Sequence, residues 1–121
     1  MIIAIPVDEK KSETGVCPSF GRSPFFLLYN TETAETDYVD NSAAESRGGA
    51  GIKAAQLIAD RGVGTLLTPR CGENAEEVLK KAGIPVYKTL PGTAKRNIDD
   101  FMADRLEKLN EFHPGFHGHE G

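Results

Sequence analysis

The run Ile2-Ile3-Ala4-Ile5-Pro6-Val7 has no polar position. A strand with one face in water alternates apolar and polar residues, so a run without alternation belongs to a strand covered on both faces. Such a strand is central in its sheet and requires packing layers above and below it. The second half of the chain supplies them. Ile52, Ala55, Leu57, Ile58 and Ala59 mark a helix ending at Gly62, and Val63-Gly64-Thr65-Leu66-Leu67-Thr68 reads as a buried strand. Glu73 to Ala82 reads as a helix with Gly83 at its C-cap, and Ile84-Pro85-Val86-Tyr87 as the next strand. Thr93 caps a last helix whose apolar positions are Ile98, Phe101, Met102, Leu106 and Leu109.

Residues 8–24 carry no apolar period and two prolines, which predicts a long exposed loop. Phe25-Phe26-Leu27-Leu28-Tyr29 and Thr36-Asp37-Tyr38-Val39-Asp40 flank the polar turn Thr31 to Glu35 as an antiparallel hairpin. A hairpin beside parallel βα units gives a mixed sheet, and right-handed crossovers put helices on both of its faces. The fold class is therefore α/β. At 121 residues without an internal repeat or linker, the chain makes one domain over residues 1–109. Residues 110–121 read as a flexible Gly/His-rich tail.

The net charge of −4 gives no general attraction to nucleic acid or an anionic membrane. No apolar span approaches the roughly 20 residues that cross a bilayer. The apolar start lacks a basic leader and a cleavage site, so the expected location is the cytoplasm, where thiols stay reduced.

Both cysteines stand in turn-like loops, Cys17 in Val16-Cys17-Pro18-Ser19-Phe20-Gly21-Arg22 and Cys71 in Pro69-Arg70-Cys71-Gly72-Glu73-Asn74. Loops at strand ends are where an α/β scaffold presents ligands. At a strand-to-helix junction the helix N-terminus favours a thiolate, so Cys71 reads as a metal ligand or as an unreactive small residue. The two cysteines lack a zinc spacing. Arg22 in Phe20-Gly21-Arg22 is suited to an anionic cofactor through paired hydrogen bonds, with Gly21 admitting close backbone approach, or is a solvated arginine beside a packed ring. Ser46-Arg47-Gly48-Gly49-Ala50-Gly51 before a helix reads as a flexible turn or as backbone N–H groups presented to an anion, without a P-loop or dinucleotide spacing. His113, His117 and His119 gather all three histidines in the tail, as solvated residues or as a metal-loading group.

An enzyme is not expected: the folded part holds no histidine and no strand-turn nucleophile. Asp8, Asp37 and Asp40 would be needed together for a Mg²⁺-dependent phosphodiesterase, and they show no paired acidic constellation.

Four segments together resemble a known family: Ile2-Ile3-Ala4-Ile5-Pro6-Val7-Asp8, Phe20-Gly21-Arg22-Ser23-Pro24-Phe25-Phe26, Gly49-Ala50-Gly51, and Cys71-Gly72-Glu73-Asn74-Ala75 through Gly83-Ile84-Pro85-Val86-Tyr87. Their order and spacing over residues 1–109 resemble the dinitrogenase iron–molybdenum cofactor biosynthesis domain family. The resemblance implies a three-layer α/β/α domain with a ribonuclease-H-like, five-stranded mixed sheet. It also implies binding, carriage or assembly of an iron–sulfur-type cluster, with or without molybdenum, and exchange with cluster donor and acceptor proteins. Taken together with the residue chemistry above, the expected cofactor contacts are Cys17, Phe20, Gly21, Arg22, Gly49, Gly51, Cys71 and Gly72, with Cys17, Cys71, His113, His117 and His119 as metal ligands. The family often has histidine before Phe-Gly where this chain has Ser19, so that contact is lost or moved to Cys17. Two thiolates do not complete a four-cysteine site, so a homodimer, external ligands or tail histidines would have to supply the rest. The alternative is a small cofactor-free interaction or regulatory domain on the same fold.

Overall fold

The computed structural model describes residues 1–11 and 13–114. The chain runs β1 (Ile2–Val7), β2 (Phe25–Asn30), β3 (Thr36–Asp40), α1 (Ala50–Asp60), β4 (Thr65–Thr68), α2 (Glu73–Lys81), β5 (Val86–Lys88) and α3 (Ala94–Met102). The five strands form one mixed sheet in the order β3-β2-β1-β4-β5. β1 pairs antiparallel with β2 from Ile2↔Asn30 to Val7↔Phe25, and parallel with β4 at Ile3↔Thr65 and Ala4↔Leu66. β2 with β3 is antiparallel and β4 with β5 is parallel.

The unalternated run in β1 is explained by two cores. Ala4 joins Phe26, Leu28, Leu66 and Val86 in the cluster that receives Ala54, Ala55 and Ile58 of α1 and Ala75 and Leu79 of α2. Ile3, Ile5 and Val7 join Leu27 and Leu67 in the cluster that receives Ala94 and Ile98 of α3. Successive strand residues point to opposite faces, so a strand with helices on both sides has no position left for a polar residue. The expected three-layer α/β/α arrangement with a five-stranded mixed sheet is present.

α1 and α2 run into glycines at positive φ, Gly62 and Gly83, both at 74°. Only a residue without a Cβ takes that left-handed turn at no steric cost, which is why these glycines mark the two helix ends. Thr93 caps α3, its Oγ1 accepting from Arg96 N–H at 3.1 Å. β4 and β5 each start two residues later than the sequence runs indicate. Gly64 and Pro85 still act as bridging positions: Gly64 N–H donates to Ile2 O and Leu66 N–H to Pro85 O.

One element differs more. The helical spacing extends α3 to Leu109, but the helix stops at Met102 and the chain reverses at Asp104, whose φ is 61°. Leu106 is buried in the α3-side core and Leu109 in the opposite one. Two residues three apart fall on opposite faces of an extended chain but on the same face of a helix, so the spacing served a strand-like path. Lys88 N–H donates to Glu107 O at 2.8 Å and Leu109 N–H to Val86 O at 2.9 Å, which covers the outer edge of β5. The stretch 110–114, expected as the start of a flexible tail, is docked through Phe112 and His113. No helix among the described residues is long and apolar enough to cross a membrane.

Candidate functional site

β1 and β4 are parallel, so the loops that leave them emerge at the same end of the sheet, where open α/β sheets hold ligands. The loop after β1 first folds back along its own strand. β4 flanks β1 only to Ala4, and beyond it Val16 bridges Val7 while Cys17 N–H donates to Pro6 O at 2.8 Å. This pairing buries Cys17 beside the strand. The chain then turns through Pro18–Arg22 towards the N-terminus of α1.

That turn is fastened by polar groups. Asn41, buried, donates from Nδ2 to Gly21 O at 3.0 Å and to Ser23 O at 2.9 Å. Ser19 Oγ accepts from Arg22 N–H at 3.1 Å, and Ser23 Oγ donates to Phe20 O at 3.3 Å. Phe20 anchors the loop in the core with its ring centroid 5.4 Å from that of Phe26. Arg22 donates from Nη1 to Ala44 O at 3.0 Å and Ser46 O at 2.6 Å, so part of its guanidinium holds the segment before α1.

Across from this loop, Thr68 Oγ1 donates to Arg70 O at 3.0 Å and turns the chain from β4 into α2. Gly72 is the N-cap of α2 and supplies no side-chain acceptor. The first-turn donor Glu73 N–H is instead satisfied by His113 O at 2.9 Å. The two loops enclose a cleft of about 200 Å³ lined by Pro18, Ser19, Phe20, Gly21, Arg22, Arg70, Cys71, Gly72 and His113.

Of the residues singled out in the sequence, the cleft brings together Phe20, Gly21, Arg22, Cys71, Gly72 and His113. Gly49 and Gly51 do not line it; Gly51 stands behind Gly21, which packs directly on the first turn of α1. Gly49 is the N-cap of α1 at φ 67°, with no side-chain cap, so its role in the fold is the turn itself. Cys17 also lies outside the lining. His117 and His119 lie outside the described residues. Sequence reasoning assigned no role to Arg70, although it directly precedes Cys71 at the strand-to-helix junction, or to Asn41, which carries no local motif.

The thiols are not poised as thiolates. Burial pushes Cys71 up from its ordinary value of 9.0 to about 12, and the charge of Glu76 adds to the rise. Cys17 is also raised, chiefly by burial and further by Asp8, against a lowering backbone hydrogen bond at Ser19. The expected help from the α2 N-terminus is therefore outweighed by desolvation. Among the described residues no three of His, Cys, Asp and Glu converge as a metal-ion site. These donors do not fit a cluster wrapped by protein thiolates. They do fit a preassembled anion that brings its own sulfide ligands, because the lining carries two guanidinium groups and an imidazole but no carboxylate.

Comparison with known proteins agrees with the fold. A family profile described as dinitrogenase iron-molybdenum cofactor matches residues 1–104. An uncharacterized protein of Methanocaldococcus jannaschii is 32% identical over 112 residues, covering 90% of this chain and 92% of that protein. The apo form of the orange protein from Desulfovibrio gigas is similar with a TM-score of 0.86 and 32% identity, over 91% of this chain and 96% of that one. A NifB-like protein from Thermotoga is similar with a TM-score of 0.81 and 37% identity, over 92% and 95% of the two chains. With the match running from β1 past the end of α3, this chain belongs to the dinitrogenase iron-molybdenum cofactor family.

Proposed function

We propose that this protein binds, carries or assembles an anionic iron–sulfur-type cluster, with or without molybdenum, as cargo in the cleft between Pro18–Arg22 and Arg70–Gly72. The observation that carries the reading is the cleft's lining, which combines Arg22, Arg70 and His113 with no carboxylate. A metal–sulfide cluster is a compact anion with many acceptor atoms, and guanidinium N–H groups are the side-chain donors best suited to such a surface. Family membership and the NifB-like and orange-protein relatives support a cluster-related role.

The chain's own residues act as binders. Arg70 and the part of the Arg22 guanidinium not bonded to Ala44 O and Ser46 O neutralise charge, while the missing side chains of Gly21 and Gly72 leave room for the first turn of α1 and for the His113 ring. A metal that took Cys71 as a ligand would have to displace a proton held to about pH 12. Retention by charge and hydrogen bonding to the cationic lining suits a carrier that receives its load from a donor protein and gives it up to an acceptor. The site is one of binding and not of catalysis.

Anaerobic reconstitution with iron and sulfide, with and without molybdate, tests this by metal analysis and absorption spectroscopy. Stoichiometric, charge-transfer-coloured metal is expected in the unaltered protein and in Cys17→Ser/Cys71→Ser, and is expected to be lost in Arg70→Gln. Loss in the cysteine variant with retention in Arg70→Gln would return the site to thiolate ligation. No retained metal in any of the three proteins would leave the cofactor-free interaction domain as the better reading.

A further inference from the structure

The cleft is completed by a part of the chain that comes from far along the sequence. After α3 the segment 107–114 lies along β5 as a strap, bonded through Glu107 O and Leu109 N–H and anchored by buried Leu109 and partly buried Phe112. It then leaves the sheet edge for the start of α2. There His113 N–H donates to Cys71 O at 3.2 Å, and His113 O accepts from Glu73 N–H at 2.9 Å. The His113 ring lies on Gly72 so closely that a Cβ at that position would stand 2.9 Å from the ring Cε1. Among the described residues, His113 is the one residue of the strap that lines the cleft.

The two halves of this arrangement have different strengths. The loops from β1 and β4 are continuous with central strands. The strap is held at an edge by few backbone bonds, with Glu107, Lys108, Asn110 and Glu111 exposed. Segments of that kind open locally at lower free energy than the core. Opening of the strap removes one polar wall of the cleft and uncovers the first N–H of α2 in the same event.

We propose that strap docking and cleft occupancy are one coupled equilibrium, with His113 the side chain through which bound cargo holds the strap in place. This rests on the cluster-binding reading above. With the strap docked, the imidazole contributes a hydrogen-bonding contact to an anionic cargo beside Arg70. With the strap detached, that contact and wall are lost, and this is the state from which cargo leaves. Linkage makes the effect reciprocal: the factor by which detachment weakens cargo binding is the factor by which cargo disfavours detachment.

The test uses the full chain, before and after anaerobic loading with iron and sulfide, and reads hydrogen exchange at the Glu73 amide. Loading is expected to slow that amide on the order of 5- to 150-fold, the range of ordinary coupling. His113→Ala and Gly72→Ala are expected to lose metal faster on gel filtration by a comparable factor. The second of these displaces the ring by its new methyl while leaving the histidine present. Thermal unfolding of the unloaded variants checks that both remain folded. His117→Ala/His119→Ala is expected to retain metal as the unaltered protein does. If the unaltered protein loads but its Glu73 amide does not slow, and His113→Ala keeps its metal, the strap coupling is wrong while cluster binding stands. Loss of metal in the His117/His119 variant with full retention in His113→Ala overturns the coupling in favour of the tail. Failure of the unaltered protein to load overturns the cluster reading, and the coupling with it.

Discussion

Gly21 and Gly51 approach so closely that a Cβ on Gly21 would stand 2.8 Å from the Gly51 backbone nitrogen and 2.9 Å from its Cα. The carbonyl carbon of Ala50 follows at 3.1 Å. All three atoms belong to the first turn of α1, so nothing flexible is available to yield. Gly21→Ala is expected to destabilise the protein by about 1–3 kcal/mol, the usual cost of overpacking. Denaturant unfolding measures it, and an unchanged midpoint would mean that the loop and α1 separate freely.

Asn97 holds the turn before α3 with three hydrogen bonds. It is fully buried, accepts from Leu90 N–H at 2.8 Å, and donates to Leu90 O and Thr93 O, both at 3.0 Å. Asn97→Leu leaves Thr93 O with the backbone N–H of residue 97 but strands the Leu90 N–H and O, and is expected to cost about 2–3 kcal/mol. Asn97→Asp keeps one acceptor but sets a carboxylate against two carbonyls, so it is expected to destabilise as well. Thermal unfolding of both variants decides whether the amide is needed as donor and acceptor together.

The raised thiols give stability a pH dependence of definite sign. The folded state binds the Cys71 proton more tightly than the unfolded chain does. The contribution is therefore complete below pH 9.0 and is lost as pH rises towards about 12. Cys17, also raised, adds in the same direction. Stability is expected to fall through this window by at most roughly 1.4 kcal/mol per pH unit for the Cys71 thiol. Cys71→Ala is expected to flatten the slope, read by urea unfolding at stepped pH, whatever its effect at neutrality. Native protein at pH 8 is correspondingly expected to resist alkylation at Cys71 until denatured.

Arg22 and Arg70 line the same cleft but have different structural duties. Arg22→Gln removes the donors on Ala44 O and Ser46 O. It is expected to speed amide exchange in residues 42–49 and to lower stability by about 1–2 kcal/mol. Arg70 is exposed, and Arg70→Gln is expected to change stability by less than about 0.5 kcal/mol. A comparable loss of stability in both variants would show that Arg70 is also part of the framework.

The sequence by itself determined the order and kind of nearly every element. The apolar run of β1, the helix-ending glycines Gly62 and Gly83, and the Thr93 cap are signals read over one or two turns of chain. Their spacing is set by the same local geometry that the folded strands and helices adopt. Loops expected to present ligands likewise stand at the ends of parallel strands, and Phe20, Gly21, Arg22, Cys71 and Gly72 meet there. The tertiary structure alone decided the rest. Leu106 and Leu109 match a helix by spacing, but the bare edge of β5 and the two separate cores drew them into an extended path. Cys71 sits at a helix N-terminus, where local reasoning lowers a thiol's pKa, yet burial against the core raises it. Arg70 and His113 became partners in one cleft, and Asn41 its buried fastener, through contacts between distant parts of the chain. Period and capping are local and leave a mark in the sequence. Desolvation, edge pairing and cleft assembly depend on which distant surfaces meet, and those are fixed only when the core closes.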